Sequence, residues 1–384
     1  MTAISRWISL ALCLWASVAA AQTGPHPIDT PPGMPPVVDP GNLYSEARAG
    51  MLSPAVAGAL SRVYVPNRRG NDVWVIDPAT MKVVDRFPVG VNPQHVVPSW
   101  DLKTLWVTNN AEGRTDGTLT PIDPTTGKPG KSIAVDDPYN MYFTPDGRSA
   151  IVVAEAHKRL DFRDPQTMAP QYSIEVPECK GVNHADFSID GRVAVFTCEF
   201  QGGLARIDLV GRKVMGYLKL SRGGMPQDIR ISPDGRVFFV ADMKAGGVFV
   251  VDAASFTEVA FIKTGIGTHG LYPSRDGTHL YVANRGSEHV FGPPRGKGSV
   301  SVLDFATRQV VATWPIPGGG SPDMGNVSVD GKVLWLSGRF DDAVYAIDTA
   351  TGAVRSVRVG KEPHGLAVWP QPGRYSLGHT GNMR

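Results

Sequence analysis

The sequence has little unbalanced charge and few cysteines, and it lacks several short motifs of known chemistry. Its 38 basic and 36 acidic residues leave a formal charge of +2, which is too balanced for a protein that binds nucleic acid or a membrane surface. No G-x-S-x-G elbow, P-loop, H-E-x-x-H or C-x-x-C-H motif occurs. No pair of carboxylates marks a glycosidase either, so hydrolysis is poorly supported.

Glycine and proline, in contrast, are abundant. The 384 residues include 43 Gly and 32 Pro, well above the usual combined share of about 12%. So many helix-breaking residues argue against an all-helical protein and favour many short elements joined by tight turns. A hydrophobic fraction of 42% with 19% charged residues excludes wholesale disorder.

The first 21 residues are typical of a secretory signal peptide. Arg6 precedes an apolar stretch, Trp7–Ala19, and Ala19-Ala20-Ala21 fits the small-residue cleavage rule, with cleavage after Ala21. The apolar stretch is shorter than the roughly 20 residues that span a bilayer. We therefore expect a periplasmic or secreted protein with no membrane span after cleavage, although a retained anchor is the alternative.

Cleavage removes Cys13 and leaves two cysteines, Cys179 and Cys198. In an oxidising compartment a disulfide between them is the expected state. A metal-binding pair or free thiols are the alternatives. Residues 22–57 are rich in proline and predict an extended leader.

The remaining chain is periodic. Short apolar segments ending in aspartate recur every 41–52 residues, and Asp-Gly turns such as that in "ISPDGRVFFVA" lie between them. The aspartates are Asp77, Asp123, Asp164, Asp208, Asp252, Asp304 and Asp348. Such a period, with four strands a unit, predicts an all-β fold, a seven-bladed β-propeller over residues 58–373.

The first repeat lacks its innermost strand, and the last segment, Pro363–Gly373, is a strand without a blade. We therefore expect this C-terminal strand to complete blade 1 and close the ring, which leaves no long open edge. Residues 374–384 form a tail that either covers one face or is disordered.

Several segments carry a resemblance to a known family. "RVYVPN" (62–67), "TLWVTN" (104–109), "HLYVAN" (279–284) and the "SPDG"-like turns resemble the YVTN-type seven-bladed β-propellers over about Ser61 to Pro370. The resemblance implies the fold, and it places the chain in a superfamily with the haem propeller of nitrite reductase and the copper-binding propeller of nitrous-oxide reductase. It does not choose a function.

Aligning the starts of the innermost strands brings four histidines into one register. The seven aligned positions are His95, Asn140, His184, Asp228, His269, Met324 and His364. Propeller symmetry should place them around the mouth of the central channel. Histidine is the commonest ligand of transition metals, so His95, His184, His269 and His364 predict a site for a transition metal such as copper, or for haem. Capping of backbone groups or binding of channel water is the alternative.

Loops after the second strands should lie on the same face. They carry a predicted cofactor-binding set, Arg68, Arg114, Arg159, Lys244, Arg285 and Arg339. Arginine binds carboxylate and phosphate in bidentate fashion, so these residues predict a collar for a small anionic ligand or cofactor. A solvated rim is the alternative.

Three functions follow from these patterns. The first is an exported propeller that binds a metal or haem-like cofactor at its channel mouth, with redox chemistry belonging to the cofactor. The second is a non-catalytic scaffold that binds a periplasmic protein or another ligand. The third, a lactonase-like enzyme with calcium in the channel, needs more carboxylates there than Asp228 supplies. No residue is assigned a catalytic role.

Overall fold

The computed structural model describes residues 27–290, 297–379 and 381–384. Seven antiparallel sheets are arranged as the blades of a propeller, which confirms the predicted fold. Six sheets have four strands, and in the sheet of blade 2 the outer strand is split into two short pieces. The predicted signal peptide, residues 1–21, lies outside the described residues.

The strands of blades 1 to 4 are listed in chain order as β1 (Arg62–Asn67), β2 (Asp72–Asp77), β3 (Lys82–Pro88), β4 (Pro93–Pro98), β5 (Leu105–Asn109), β6 (Thr118–Asp123), β7 (Lys128–Pro129), β8 (Ile133–Ala134), β9 (Pro138–Phe143), β10 (Ala150–Ala154), β11 (Arg159–Arg163), β12 (Pro170–Glu175), β13 (Val182–Phe187), β14 (Val193–Cys198), β15 (Gly203–Asp208) and β16 (Lys213–Lys219).

Blades 5 to 7 and the closing strand comprise β17 (Pro226–Ile231), β18 (Val237–Asp242), β19 (Gly247–Asp252), β20 (Thr257–Lys263), β21 (Thr268–Pro273), β22 (His279–Asn284), β23 (Ser299–Asp304), β24 (Gln309–Pro315), β25 (Pro322–Val327), β26 (Val333–Gly338), β27 (Ala343–Asp348), β28 (Val354–Arg358) and β29 (Ala367–Trp369). Single turns of 3-10 helix occur at Ser45–Ala47, Pro54–Val56 and Pro317–Gly319. None of the helices in the described ranges is long and apolar enough to cross a membrane.

The C-terminal strand closes the ring as predicted. Strand β29 pairs with β1, Val368 lying opposite Val63, and becomes the innermost strand of blade 1. The blade is therefore built from both ends of the propeller sequence. This pairing removes the open edge that β1 would otherwise present.

Burial within each blade falls from the channel outwards. Inner strands such as β4, β13 and β25 are buried along their whole length. The outer strand β24 alternates between exposed and half-buried residues, and β3 does the same except at the buried Phe87. The recurrent aspartates end the third strands, where their carboxylates accept hydrogen bonds from backbone N–H groups of the next turn, as Asp208 does from Gly211 N at 2.8 Å. The aspartate repeat is therefore turn chemistry.

Each inner strand from β13 to β25, like β4, is irregular near its start. The pairing register shifts between Pro93 and His95 in β4 and between Val182 and Ala185 in β13, with equivalent shifts in β17, β21 and β25. Such bulges re-aim a side chain. The N–H group of His95 is satisfied by Thr108 Oγ1 at 3.1 Å, and that of His184 by Thr197 Oγ1 at 3.0 Å.

The C-terminal tail enters the channel from the face that carries the Asp-Gly turns. Phe143 N donates to Leu377 O at 3.0 Å, and His379 N donates to Met141 O at 2.8 Å. The guanidinium of Arg384 lies 2.7 Å from a carboxylate oxygen of Asp186 in β13. The tail therefore covers this face, which was one of the two outcomes that the sequence left open.

The described part of the leader also packs on the turn face. Leu43 N donates to Pro233 O at 2.7 Å, and the hydroxyl of Tyr44 donates to Ile231 O at 2.6 Å. Both side chains are buried. Leader and tail together cover the lower end of the channel.

Cys179 and Cys198 form the expected disulfide, which spans 19 positions of sequence within blade 4. Both residues are buried, and Cys198 ends the second strand of that blade. The bond ties the loop that precedes β13 to the end of β14.

Removing this disulfide should destabilise the propeller. Closing a loop of this length in the unfolded chain is worth about 3 kcal/mol. We expect the Cys179→Ala/Cys198→Ala variant to unfold at lower urea concentration than the wild type, as measured by tryptophan fluorescence. The reduced wild-type protein should match the variant, and an unchanged midpoint in both would contradict the expectation.

Candidate metal centre

A funnel opens on the face opposite the Asp-Gly turns. It encloses about 640 Å³ of empty space, part of it open to solvent. Residues at the starts of the inner strands and in the loops after the second strands line it, in agreement with the predicted placement of those loops. The lining residues are Arg68, Gln94, Asn110, Glu112, Tyr139, Glu155, Glu199, Phe200, Gln227, His269, Arg285, Val290 and Arg339.

The four predicted histidines converge at the floor of this funnel, but strand pairing places them in two registers rather than the single one that the sequence predicted. His95 and His184 share one register, whereas His269 and His364 lie one position earlier along their strands. His95, His184, His269 and His364 are all buried. The ring centroids of His95 and His364 are 4.8 Å apart, those of His95 and His184 are 5.4 Å apart, and those of His184 and His269 are 6.3 Å apart. The central channel is therefore narrow enough for these side chains to meet.

The convergence divides the four histidines into two groups, each completed by a residue outside the predicted set. His269 and His364 lie with Asp323, which we call the upper triad, and His95 and His184 lie with His379 of the tail, which we call the lower triad. Within each triad, one nitrogen or oxygen from each residue lies within 4.8 Å of the others.

Asp323 is the electrostatic centre of the upper triad. Its Oδ1 lies 2.8 Å from a terminal nitrogen of Arg285 and 2.9 Å from His269 Nδ1, although the latter contact lacks the alignment of a hydrogen bond. Its Oδ2 lies 3.5 Å from His364 Nε2 and 3.7 Å from Arg339. Burial opposes ionisation, but Arg285 and the two imidazoles outweigh it and hold the pKa of Asp323 well below its usual value.

His364 and Asp323 each have a buried polar atom without a hydrogen-bond partner among the described residues. His364 Nδ1 lies 3.1 Å from the carbonyl oxygen of Gln94, and because a carbonyl can only accept, Nδ1 carries the proton. Neutral His364 therefore presents a lone pair at Nε2. This lone pair faces Asp323 Oδ2, and neither atom has a hydrogen-bond partner among the described residues. Two buried acceptors therefore face one another at 3.5 Å, a separation at which one transition-metal ion with bonds of about 2.0–2.2 Å could bind both.

The lower triad is held by an amide. Asn140 Nδ2 lies 3.0 Å from both His184 Nδ1 and His379 Nδ1, while its Oδ1 accepts from Met141 N at 2.8 Å. An ion could use the two Nδ1 lone pairs only by displacing this amide. An ion could bind the two Nε2 atoms only if the Asn140 side-chain amide rotated by half a turn. The amide oxygen would then accept hydrogen bonds from the Nδ1–H groups of both histidines. The upper triad needs no such rearrangement.

The channel histidines are uncharged at neutral pH. Burial holds the pKa of His95, His184, His364 and His379 well below the usual 6.5. Burial and the neighbouring Arg285 lower the pKa of His269 to about 4. Each ring therefore keeps one unprotonated nitrogen, which is the form that binds metals.

The six residues of the predicted cationic collar do not act as one group. Arg68, Arg285 and Arg339 are buried and line the funnel. The other three do not line it. Arg114 is 57% exposed and pairs with Asp116, two positions along the chain, and Arg159 likewise pairs with Asp161 at 2.7 Å. Lys244 is exposed.

Carboxylates interrupt the positive charge of the funnel. Arg68 lies 2.8 Å from Glu112, and Glu199 accepts from Asn183 and Gln227, each at 2.9 Å. Burial and the proximity of Glu199 raise the pKa of Glu155 well above its usual value. The funnel is thus lined by charges of both signs.

Two residues of the triads were not predicted. Asp323 precedes Met324, and strand pairing places it in the same register as His269 and His364. Counting back from the Asp-Gly turns missed it, because that count places these two histidines one position late along their strands. His379 belongs to the tail, which is outside the repeat. Of the other register positions, Asp228 accepts from Leu271 N of the next blade at 2.9 Å and so joins neighbouring blades.

Comparison with known proteins shows the family. The model of the YNCE-like beta-propeller family matches residues 32–371. The chain belongs to the YNCE-like β-propeller family. A curated relative, the uncharacterized protein YncE of Salmonella typhi, is 24% identical over 295 residues, which cover 70% of this chain and 75% of that protein.

Solved structures share the fold at low sequence identity. The dihydro-heme d1 dehydrogenase NirN is 14% identical with a TM-score of 0.59, covering 83% of this chain and 77% of that one. A putative 6-phosphogluconolactonase from Bacteroides uniformis is 15% identical with a TM-score of 0.64, covering 80% of this chain and 99% of that one. Because their names describe different chemistry, the likeness shows the fold alone.

The buried histidines should make folding sensitive to acid. A histidine whose pKa is lower in the folded protein takes up its proton first in the unfolded chain, so its stabilising contribution is lost as pH falls below about 6.5. We expect the urea midpoint of the wild type to fall between pH 7.5 and pH 5, and to fall less in His184→Gln, which cannot take up the proton. His279→Gln, altered at a half-buried position at the start of β22, is the control. Parallel pH curves for wild type and His184→Gln would contradict this account.

Gly365, next to His364, should tolerate no side chain. A Cβ atom at this position would overlap His95 Nδ1. We expect Gly365→Ala to lower the free energy of unfolding by about 1–3 kcal/mol, as overpacking does. Gly216→Ala, in the outer strand β16 with nothing within 4 Å of the added carbon, is the matched control. Equal urea midpoints for the two variants would show that the channel is looser than described.

Proposed function

We propose that this propeller binds one divalent transition-metal ion in its central channel, through His269, Asp323 and His364. The observation that carries the proposal is the pair of unpartnered acceptors, His364 Nε2 and Asp323 Oδ2, which face one another 3.5 Å apart in a buried site. Leaving buried polar atoms unsatisfied costs about 1–3 kcal/mol each. A cation between them would remove that cost.

The donor set indicates the class of metal. Two imidazoles and one carboxylate favour an ion that prefers nitrogen ligands, such as copper, iron or zinc. Calcium and magnesium prefer sets of oxygen ligands, and Asp323 supplies the only carboxylate of the triad. Arg285 and Arg339 beside Asp323 further disfavour an ion held by charge alone. Copper(II), which imidazole sites bind most tightly among these ions, is the first candidate.

Haem, the other cofactor that the sequence suggested, does not fit the funnel. A porphyrin needs apolar walls for its faces. Tyr139, Phe200 and Val290 give the funnel some apolar surface, but five charged side chains stand among them: Arg68, Glu112, Glu199, Arg285 and Arg339. Covering these groups with an apolar macrocycle would remove them from water. We therefore favour a metal ion without a porphyrin.

The proposed location is the periplasm, reached by means of the signal peptide at residues 1–21. The disulfide between Cys179 and Cys198 supports export, because such bonds persist in oxidising compartments. No reaction is assigned to the bound metal. A structural ion, a metal carrier and a redox centre all use such a set of ligands.

Metal content tests the proposal directly. The untagged mature protein is stripped with chelator, incubated separately with Cu²⁺, Zn²⁺ and anaerobic Fe²⁺, dialysed and analysed by plasma mass spectrometry. We expect about one equivalent of one metal to be retained, with copper bound most tightly. His364→Gln and Asp323→Asn should each lose it, because each replaces a metal ligand, imidazole or carboxylate, by an uncharged amide that binds transition metals weakly. His279→Ala should retain it.

Two results would overturn the assignment. Wild-type protein that retains none of the three metals would contradict metal binding and favour the scaffold function. Retention in His364→Gln and Asp323→Asn with loss in His184→Ala would place the ion in the lower triad instead. Circular dichroism and urea midpoints identify any variant that has lost its fold.

A further inference from the structure

The funnel contains a buried positive charge whose hydrogen bonds are unaccounted for. Arg339 follows β26 and is 4% exposed. Its nearest carboxylates are Asp323 at 3.7 Å and Glu362 at 3.9 Å, both beyond hydrogen-bond distance. Its Nε is buried and has no partner among the described residues.

Arg68 and Arg285, the other two buried arginines of the funnel, differ in this respect. Arg68 donates to Glu112 at 2.8 Å, and Arg285 donates to Asp323 at 2.8 Å. Both guanidinium groups are thus partnered by carboxylates of the protein. Burying a guanidinium without partners is costly, so Arg339 is the position where a ligand carboxylate is missing.

The surroundings hold Arg339 in place. Its guanidinium carbon lies 5.5 Å from the ring centroid of Phe340, within the range of a cation–π contact. The side chain borders the funnel rather than the solvent-exposed rim. A ligand that enters the funnel would therefore meet a fixed fork of N–H donors.

We propose that the funnel binds a small organic acid, whose carboxylate forms a bidentate pair with Arg339. A planar carboxylate matches the guanidinium fork. Asp323 and Glu362 already place negative charge within 4 Å of Arg339 without hydrogen-bonding to it, which favours a monocarboxylate over a phosphate dianion. The space of about 640 Å³ admits a molecule of a few carbon atoms. Glu112 and Glu199 on the walls disfavour ligands that carry more negative charge.

The proposal goes beyond the metal site and does not depend on it. Arg339 contacts the acid through its own donors, so binding should occur in metal-free protein. If the upper triad also holds a metal, the acid would lie beside that ion, because Arg339 is 3.7 Å from Asp323.

Calorimetric titration of chelator-treated protein tests the acid site. Propionate is the probe, propionamide is its neutral counterpart of similar shape, and phosphate is the competing anion. We expect propionate to bind and propionamide not to bind. Arg339→Gln should raise the dissociation constant for propionate at least tenfold, since the loss of one hydrogen bond between charged groups changes a dissociation constant by about a factor of ten or more. Arg339→Lys, which keeps the charge but loses the fork, should show an intermediate loss.

Arg114→Gln is the matched control, because Arg114 lies on an exposed loop of the same face and pairs with Asp116; it should bind propionate as the wild type does. Equal binding of propionate and propionamide, unchanged affinity in folded Arg339→Gln, or tighter binding of phosphate than of propionate would each overturn the proposal. If propionate does not bind but the wild-type protein retains metal, the acid proposal is wrong and the metal proposal stands. If the wild-type protein binds propionate but retains no metal, the metal proposal is wrong and the acid proposal stands.

Discussion

The exclusion of water from the centre of the ring is the constraint on which the rest of this structure depends. Seven inner strands converge there, and five imidazoles meet within a few ångströms of one another. In such surroundings a polar atom must find a partner in the protein or in a ligand. Several channel atoms find none among the described residues, including His95 Nδ1, His184 Nε2 and His364 Nε2. Desolvation also keeps the rings neutral, so the same burial that isolates them leaves them able to bind a metal.

The fold could be predicted because the signals for it repeat. Asp-ended segments recur in every blade and Asp-Gly turns in five of the seven, and the missing inner strand of the first repeat indicated how the ring closes. The convergence of the histidines came from the same repeat, since equivalent positions of a propeller must face the same axis. The sequence alignment nevertheless merged two registers. Asp323 shares its register with His269 and His364, and His379 arrives on a tail that lies outside the repeat.

Which charged side chains face the funnel was harder to predict than where the strands and histidines lie. Arg114 and Arg159 share a loop class with Arg339, yet each is paired with an aspartate two residues away. Arg339 also has an aspartate two residues away, but Asp341 accepts hydrogen bonds from Ser321 N and the Tyr345 hydroxyl instead, and Arg339 lies over Phe340. Which cation remains free depends on side-chain directions and on carboxylates from other blades. A single sequence contains the residue types but not these distances.

Anomalous diffraction from crystals soaked with copper would test the central claim most directly. Data collected on both sides of the copper absorption edge locate the ion without reference to activity. We predict one strong peak between His269, Asp323 and His364, at bonding distance from the imidazole nitrogens, roughly 2.0 Å. Only water density between His364 Nε2 and Asp323 Oδ2, with no anomalous peak in the channel, would contradict the account.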